Sequence, residues 1–255
     1  MILTVDIGNT NIVIGGFMNE ELCFVSRIAT DVKKTEDEYA VIIRNIVALN
    51  HIRTAEVKGA IISSVVPPLN KIISKAILKI YGISPLLVGP GVKTGINLLV
   101  DNPAQVGADL VCTAVAAYNY HKAPAIIIDM GTATKISIID KNGAFLGVSI
   151  IPGVELGIAA LSGGTAQLPQ ISLDAPRSVV GKNTIDAMQS GVVFGNASLI
   201  DGMLCRIKEE YGDLDIIATG GIAGFIIPYC KNKITIDDHL ILKGLYTIYN
   251  KNTTV

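Results

Sequence analysis

The sequence predicts an α/β chain made of two similar domains related by internal duplication. Residues 2–18, ILTVDIGNTNIVIGGFM, and residues 126–142, IIIDMGTATKISIIDKN, share one pattern. Each has an apolar run ending in Asp, then x-Gly, then small hydroxyl or amide residues, then a second apolar run. The two signatures, at Asp6 and Asp129, lie 123 residues apart in a chain of 255, and repeats at a fixed distance set an architecture. Each copy also continues into a third strand and then helices, which is the order expected of sheets covered by helices.

The elements follow in chain order. Ile2–Val5 and Asn11–Phe17 are apolar and β-branched, as strands prefer, and Gly8-Asn9 between them is hairpin turn chemistry. Third strands are expected over Glu21–Ile28 and, in the second copy, Ala144–Ile151 after Asn142-Gly143. Thr35–Leu49 opens with acidic residues that suit a helix N-terminus. Its apolar positions Tyr39, Ile42, Ile43, Ile46 and Leu49 have helical spacing. Gly59–Ser64 reads as a short buried strand, and Leu69–Tyr81 as a helix after Pro67-Pro68. Asn102-Pro103 is an N-cap followed by Pro at the first helical position, so a helix is expected from there to about Tyr120. Asn183–Tyr211 is the longest helical candidate, Asp215–Ala218 is a strand feeding Thr219-Gly220-Gly221, and Asp238–Asn250 is a final helix. The expected domains are residues 1–120 and 121–255.

Composition narrows the class. Half of the residues are hydrophobic and 17% are charged, against about 25% charged in average soluble domains, so a disordered chain is excluded. The longest uncharged stretch, Leu156–Leu173, is broken by Gly157, Gly163, Gly164, Pro169, Gln167 and Gln170. A bilayer span needs roughly 20 mostly apolar residues, so no membrane association is expected. The N-terminus MILTVDIGNT has no basic segment, so a cytoplasmic location is expected. The net charge of −1 gives nothing that would draw the chain to nucleic acid. Cys23, Cys112, Cys205 and Cys230 are widely spaced, which suggests neither a zinc site nor a disulfide framework. His51, His121 and His239 stand in unrelated contexts and read as surface or capping residues.

The Asp-Gly turns carry the chemistry. Gly8 lets backbone approach a ligand without a Cβ in the way. Turn amides from Gly8 through Asn9 and Thr10 to Asn11 are placed to meet phosphate oxygens, since successive N–H groups form anion-binding concavities. A carboxylate beside phosphates needs a cation between them, so Asp6 is the candidate for Mg²⁺, directly or through water. Alone, such a turn is equally an ordinary β-turn with an Asx bond. The second turn, Asp129-Met130-Gly131-Thr132-Ala133-Thr134, repeats the logic, and two such turns facing across a cleft would grip a nucleotide's phosphates. Thr219-Gly220-Gly221 would let backbone pack near an adenosine. In this order the three motifs resemble the sugar-kinase, heat-shock-protein and actin superfamily, which implies two actin-like (ribonuclease H-like) domains. Gly107-Ala108-Asp109 is a third constellation. Either Gly107 allows close helix packing and Asp109 faces solvent, or small residues clear space beside a carboxylate that accepts a hydroxyl proton during phosphoryl transfer.

Taken together, DIGNT at 6–10, GAD at 107–109, DMGTAT at 129–134, PGVEL at 152–156, LP at 168–169, GKNT at 181–184, AMQSG at 187–191 and ATGG at 218–221 resemble the type III pantothenate kinases. That resemblance spans nearly the whole chain. It implies transfer of the γ-phosphate of ATP to pantothenate's terminal hydroxyl, giving 4′-phosphopantothenate in the first step of coenzyme A synthesis. It implies Mg²⁺, a monovalent cation (K⁺ or NH₄⁺) and a homodimer. By the same resemblance, Asp109 is the proton acceptor. Asp6 and the loop through Gly8, Asn9, Thr10 and Asn11 to Val13 hold ATP phosphates and Mg²⁺. Gly131 and Thr132 also contact ATP, and Asp129 supports the monovalent cation. Pantothenate is implied at Val100, at Gly107, Ala108, Asp109 and Leu110, and at Thr184, which is also well placed to cap a helix beside Asn183.

The chain departs from the family pattern at three positions. Leu110 stands where the family has Arg, a residue suited to grip a carboxylate bidentately. Val100 stands where it has Tyr, and Lys135 where it has Thr. Losing a charged hydrogen-bonding partner costs about 1.5–3 kcal/mol, so roughly 10- to 150-fold in affinity. The ammonium of Lys135 would supply charge near the phosphates and reduce the need for a monovalent cation. Two other readings stand beside the pantothenate kinase: a regulatory homologue that keeps the nucleotide cleft, and a kinase for another small hydroxyl compound. The helices from Asn183 and over Asn102–Tyr120 are the expected dimer surface.

Overall fold

The computed structural model describes residues 1–253 and divides the chain into two compact units. Unit 1 comprises Met1–His121 and the segment from His239 onward, and unit 2 comprises Lys122–Asp238.

Unit 1 opens with strands β1 (Ile2–Ile7), β2 (Asn11–Met18) and β3 (Glu21–Ala29). Helix α1 (Glu36–Leu49), strand β4 (Gly59–Ser64), helix α2 (Pro67–Tyr81), the short strand β5 (Leu86–Leu87) and helix α3 (Ala108–Tyr120) follow. The sheet order is β3-β2-β1-β4-β5. β1 pairs antiparallel with β2 and parallel with β4. Alternation along β1 sorts its side chains between two faces. Leu3, Val5 and Ile7 pack with Tyr39, Ile43 and Val47 of α1 and Leu69, Ile73 and Ile77 of α2. α1 begins where the acidic run predicts. Thr35 caps it by accepting from the Glu38 N–H, and the Glu38 carboxylate accepts from the Thr35 N–H in return, a pair of bonds that satisfies two otherwise unpaired donors.

Unit 2 repeats the plan with β6 (Ala125–Met130), β7 (Ala133–Ile139), β8 (Phe145–Pro152), α4 (Val154–Gly164), α5 (Thr184–Tyr211), β9 (Asp215–Thr219), α6 (Ala223–Ile226) and β10 (Thr235–Ile236). Its sheet order is β10-β9-β6-β7-β8. Read from the other edge, each strand takes the place of its counterpart in unit 1. β6 is antiparallel to β7 and parallel to β9, as β1 is to β2 and β4. Ile126, Ile128 and Met130 pack with Val193, Ala197, Ile200 and Leu204 of the 28-residue α5.

The last helix, α7 (Leu240–Thr253), crosses back to unit 1. The second domain expected from the sequence, residues 121–255, includes α7. In the structure Leu242, Leu245 and Ile248 of α7 pack with Phe17, Val111, Cys112 and Val115 on the sheet face opposite α1 and α2. Tyr246 stacks on Phe17 with ring centroids 4.5 Å apart and planes 10° from parallel. Gly244 lies against the Cys112 backbone, and a β-carbon there would collide with the Cys112 carbonyl. α3 is buried continuously from Leu110 to Ala117, as an all-round apolar helix must be. It therefore offers an expected dimer surface only its exposed end, at Tyr118 and Tyr120. No helix among the described residues is long and apolar enough to cross a membrane.

Candidate active site

The two Asp-Gly turns occupy equivalent positions in the two sheets. Asp6 lies on β1 between Val13 of β2 and Ser63 of β4. Asp129 lies on β6 between Lys135 of β7 and Thr219 of β9. Each carboxylate thus has a hydroxyl residue on its parallel neighbour and a turn immediately beyond it. The first turn is one residue longer: the Gly8 N–H donates to the Asn11 carbonyl at 3.0 Å, whereas the Gly131 N–H donates to the Ala133 carbonyl at 3.2 Å. Space is tight at Gly8, where a β-carbon would stand 3.0 Å from the Asn11 oxygen.

Both turns are braced by the residue that follows the third strand. In unit 1 the Thr30 N–H donates to the Thr10 carbonyl at 2.9 Å, and its hydroxyl donates to the Gly8 carbonyl at 2.7 Å. In unit 2 the Gly153 N–H donates to the Thr132 carbonyl at 3.2 Å. A side chain at Gly153 would overlap the backbone of Gly131 and Thr132, which explains the glycine in PGVEL. These bonds engage carbonyl oxygens of the turns inside the protein, an arrangement that would suit a turn meeting an anion with donors rather than acceptors. Asn9, Thr10 and Thr132 are exposed, and Asn11 and Val13 are half-buried.

Asp109 sits in the first turn of α3, where the helix terminus favours negative charge. Its carboxylate accepts from the Leu110 N–H at 2.8 Å. Gly107 is the N-cap of α3, at φ −59° and ψ 144°, rather than a helix-interior residue. A β-carbon there would overlap the Asp109 carboxylate oxygen, so a side chain at this position would displace that carboxylate. The expected helix from Asn102 is interrupted. Asn102 caps only a 3₁₀ turn, Pro103–Gln105, before Val106 becomes extended. Ala108 is half-buried, as is Val100. Leu110 is 7% exposed, so its contribution beside Asp109 runs through its N–H.

Asp6 and Asp109 act on one group through their charge. The fully buried Cys112 thiol is pushed well above the usual thiol range, first by burial and then by the negative charges of Asp6 and Asp109. The nearby Ser63 hydroxyl weakly favours the opposite direction, and its oxygen is buried with no conventional hydrogen-bond partner. A β-carbon on Gly107 would stand 3.9 Å from the Val65 side chain just past β4, and Ser63 of β4 lies opposite Asp6, so Asp6 and Asp109 share one end of unit 1, with an oxygen-rich patch formed by Asp6 and Ser63. Hard oxygen donors in small number fit Mg²⁺, which keeps most of its waters and shares substrate phosphates. Among the described residues no group of three or more His, Cys, Asp or Glu is placed to hold a metal ion.

In unit 2 the remaining candidates gather around α4 and the start of α5. Asn183 caps α5 through a 2.9 Å bond from the Asp186 N–H, which leaves Thr184 as the first helical residue rather than the cap. Thr184 lines an open pocket of about 1120 Å³ with Lys182, Asn196, Leu156, Leu161 and Met188. Sequence reasoning passed over both Lys182 and α4. The GKNT motif signalled the first, and the second reads as a glycine-interrupted apolar run without charge periodicity. Gly220 has φ +99°, and a β-carbon there would stand 2.5 Å from the Met130 carbonyl. Thr219-Gly220-Gly221 thus brings backbone close to the end of β6, beside the second turn.

The comparisons with known proteins agree with this layout. Residues 2–206 match the family model described as type III pantothenate kinase. The chain is 42% identical over 254 residues to a type III pantothenate kinase of Syntrophobacter fumaroxidans, covering 99% of this chain and 98% of that one. It is 41% identical over 252 residues to one of an Exiguobacterium species, covering 99% of each. Among solved structures it resembles a protein described as a Baf family transcriptional activator from Campylobacter jejuni, at TM-score 0.60 and 21% identity, with 99% and 100% of the two chains covered. It also resembles component A of (R)-2-hydroxyglutaryl-CoA dehydratase from Acidaminococcus fermentans, at TM-score 0.57 and 14% identity over 97% and 96%. A ROK family protein of Streptococcus pneumoniae aligns at TM-score 0.55 and 11% identity over 98% of each chain. These likenesses show the fold, the doubled actin-like architecture of sugar kinases and related ATPases.

Proposed function

The chain belongs to the type III pantothenate kinase family, and on that premise we propose that it transfers the γ-phosphate of ATP to pantothenate with Asp109 as the proton acceptor. The product, 4′-phosphopantothenate, belongs to the first step of coenzyme A synthesis. The observation that supports this assignment is the pairing of Gly107 with Asp109: the glycine leaves the volume that the carboxylate occupies. A carboxylate held in place by the Leu110 N–H can orient the attacking hydroxyl and take its proton as the new P–O bond forms and ADP departs. In unit 1, Asp6 with Gly8, Asn9, Thr10, Asn11 and Val13 holds phosphates and Mg²⁺. In unit 2, Gly131 and Thr132 contact ATP, and Thr184 contacts pantothenate. When bound, Mg²⁺ neutralises charge on the phosphate oxygens. Positioning and charge neutralisation are most of what phosphoryl transfer asks of a protein.

The working form is a cytoplasmic homodimer, and unit 2 carries apolar surface suited to pairing at Leu156 and Leu161 of α4 and at Ile185 and Leu199 of α5. Light scattering on the purified protein tests this, and a monomer overturns it. The test of function is coupled ADP release with ATP, Mg²⁺ and pantothenate. Turnover dependent on pantothenate is expected. Intact ATP binding without turnover at millimolar pantothenate overturns the kinase and favours a regulatory homologue.

A further inference from the structure

The monovalent cation implied by the family resemblance does not fit beside Asp129, because a cation of the chain's own is already there. Lys135 Nζ lies 2.7 Å from Asp129 Oδ2, and the two side chains are only 17% and 18% exposed. The pair is fixed by backbone, since the residues stand directly opposite each other on β7 and β6. The duplicated half serves as an internal reference. In unit 1 the residue opposite Asp6 is Val13, which brings no charge. One Asp-Gly turn therefore has an apolar residue across from its carboxylate, and the other has an ammonium.

A lysine head group is an alkylated ammonium, a compact point charge on a flexible stem. It is chemically kin to NH₄⁺, one of the two ions the resemblance implies. A tethered ion has a high effective concentration at its site and needs no supply from solution. We propose that Lys135 is a built-in monovalent cation: its ammonium, seated on Asp129 beside the Gly131-Thr132 turn, supplies the charge a free K⁺ or NH₄⁺ would bring, and makes nucleotide binding and turnover independent of such ions. The inference rests on the kinase reading for its turnover arm and on nucleotide binding alone for its other arm.

The experiment compares choline, sodium, potassium and ammonium chlorides at equal ionic strength, because screening otherwise changes charged contacts. The dissociation constant of ADP with Mg²⁺ is measured by calorimetry, and ADP release is measured with pantothenate. For the natural protein, both quantities are expected to agree within twofold across the four salts. Lys135→Thr is expected to bind ADP at least tenfold more weakly in choline, with potassium or ammonium restoring at least fivefold. A fivefold or greater effect of potassium on nucleotide binding by the natural protein overturns the inference. So does a Lys135→Thr variant that is indifferent to potassium. The salt series on the natural protein needs no variant, so a Lys135→Thr chain that fails to fold leaves the test standing. Loss of turnover in every salt, with salt-independent ADP binding, counts against the pantothenate kinase and for the tethered cation.

Discussion

A β-carbon on Gly107 would occupy the space that the Asp109 carboxylate fills. The two residues of the Gly-Ala-Asp motif are thus joined by volume: a side chain on the first would move the carboxylate of the second.

Gly107→Ala is therefore expected to displace the carboxylate without unfolding the helix, since φ −59° is open to any residue. A shift of about 1 Å at a reacting group costs on the order of 100-fold. The kcat for ADP release should fall roughly 10- to 100-fold, with the ATP dissociation constant unchanged.

Asp109→Asn keeps the shape and removes the base. A general base contributes about 10²–10⁴-fold, and pantothenate-dependent turnover should fall by that factor while calorimetry finds nucleotide binding intact. Unchanged turnover would sink the assignment of the proton acceptor.

Val100→Tyr combined with Leu110→Arg installs the two residues that the family resemblance implies on the proposed acceptor side. The pantothenate KM is expected to fall about tenfold or more, in line with about 1.5–3 kcal/mol for a charged hydrogen bond. Leu110 is buried, so the double variant should also lose about 1–3 kcal/mol of stability, read as a lower urea midpoint.

Gly244→Val drives a side chain into the Cys112 carbonyl at the crossing of α7 and α3. Overpacking typically costs about 1–3 kcal/mol, and this contact is with backbone, which yields least. Urea denaturation should show a loss at or above the top of that range.

The cysteines should separate by reactivity. The thiolate is the reactive form. Burial and the charges of Asp6 and Asp109 push Cys112 well above the ordinary thiol range, and burial pushes Cys230 to about 11. Cys23 and Cys205 are exposed. Brief treatment of the native protein with iodoacetamide at pH 8, followed by mass spectrometry, should label Cys23 and Cys205 and spare Cys112 and Cys230.

The duplication and both turns could be read from the chain because strand patterns and turn residues are local. Glu21–Ala29 and Thr184–Tyr211 lie within a residue of where alternation and caps place them. The Asn102 cap misled, because its oxygen does accept from the Ala104 N–H at 3.2 Å yet closes only a 3₁₀ turn. The return of α7 to unit 1 was hidden, because nothing within residues 240–253 names a partner more than 100 positions away. The Lys135–Asp129 pair lies between these cases. Both residues flank one hairpin, so strand register alone sets them face to face.

That return gives the two units different histories during synthesis. Domains form as units while the chain emerges. Unit 2 is one uninterrupted run of sequence and can close as soon as residue 238 is clear of the ribosome. Unit 1 was begun first but waits for α7, made after unit 2, to cover the far side of its sheet. The half of the molecule carrying Asp6 and Asp109 is therefore finished only after all of unit 2 has been made.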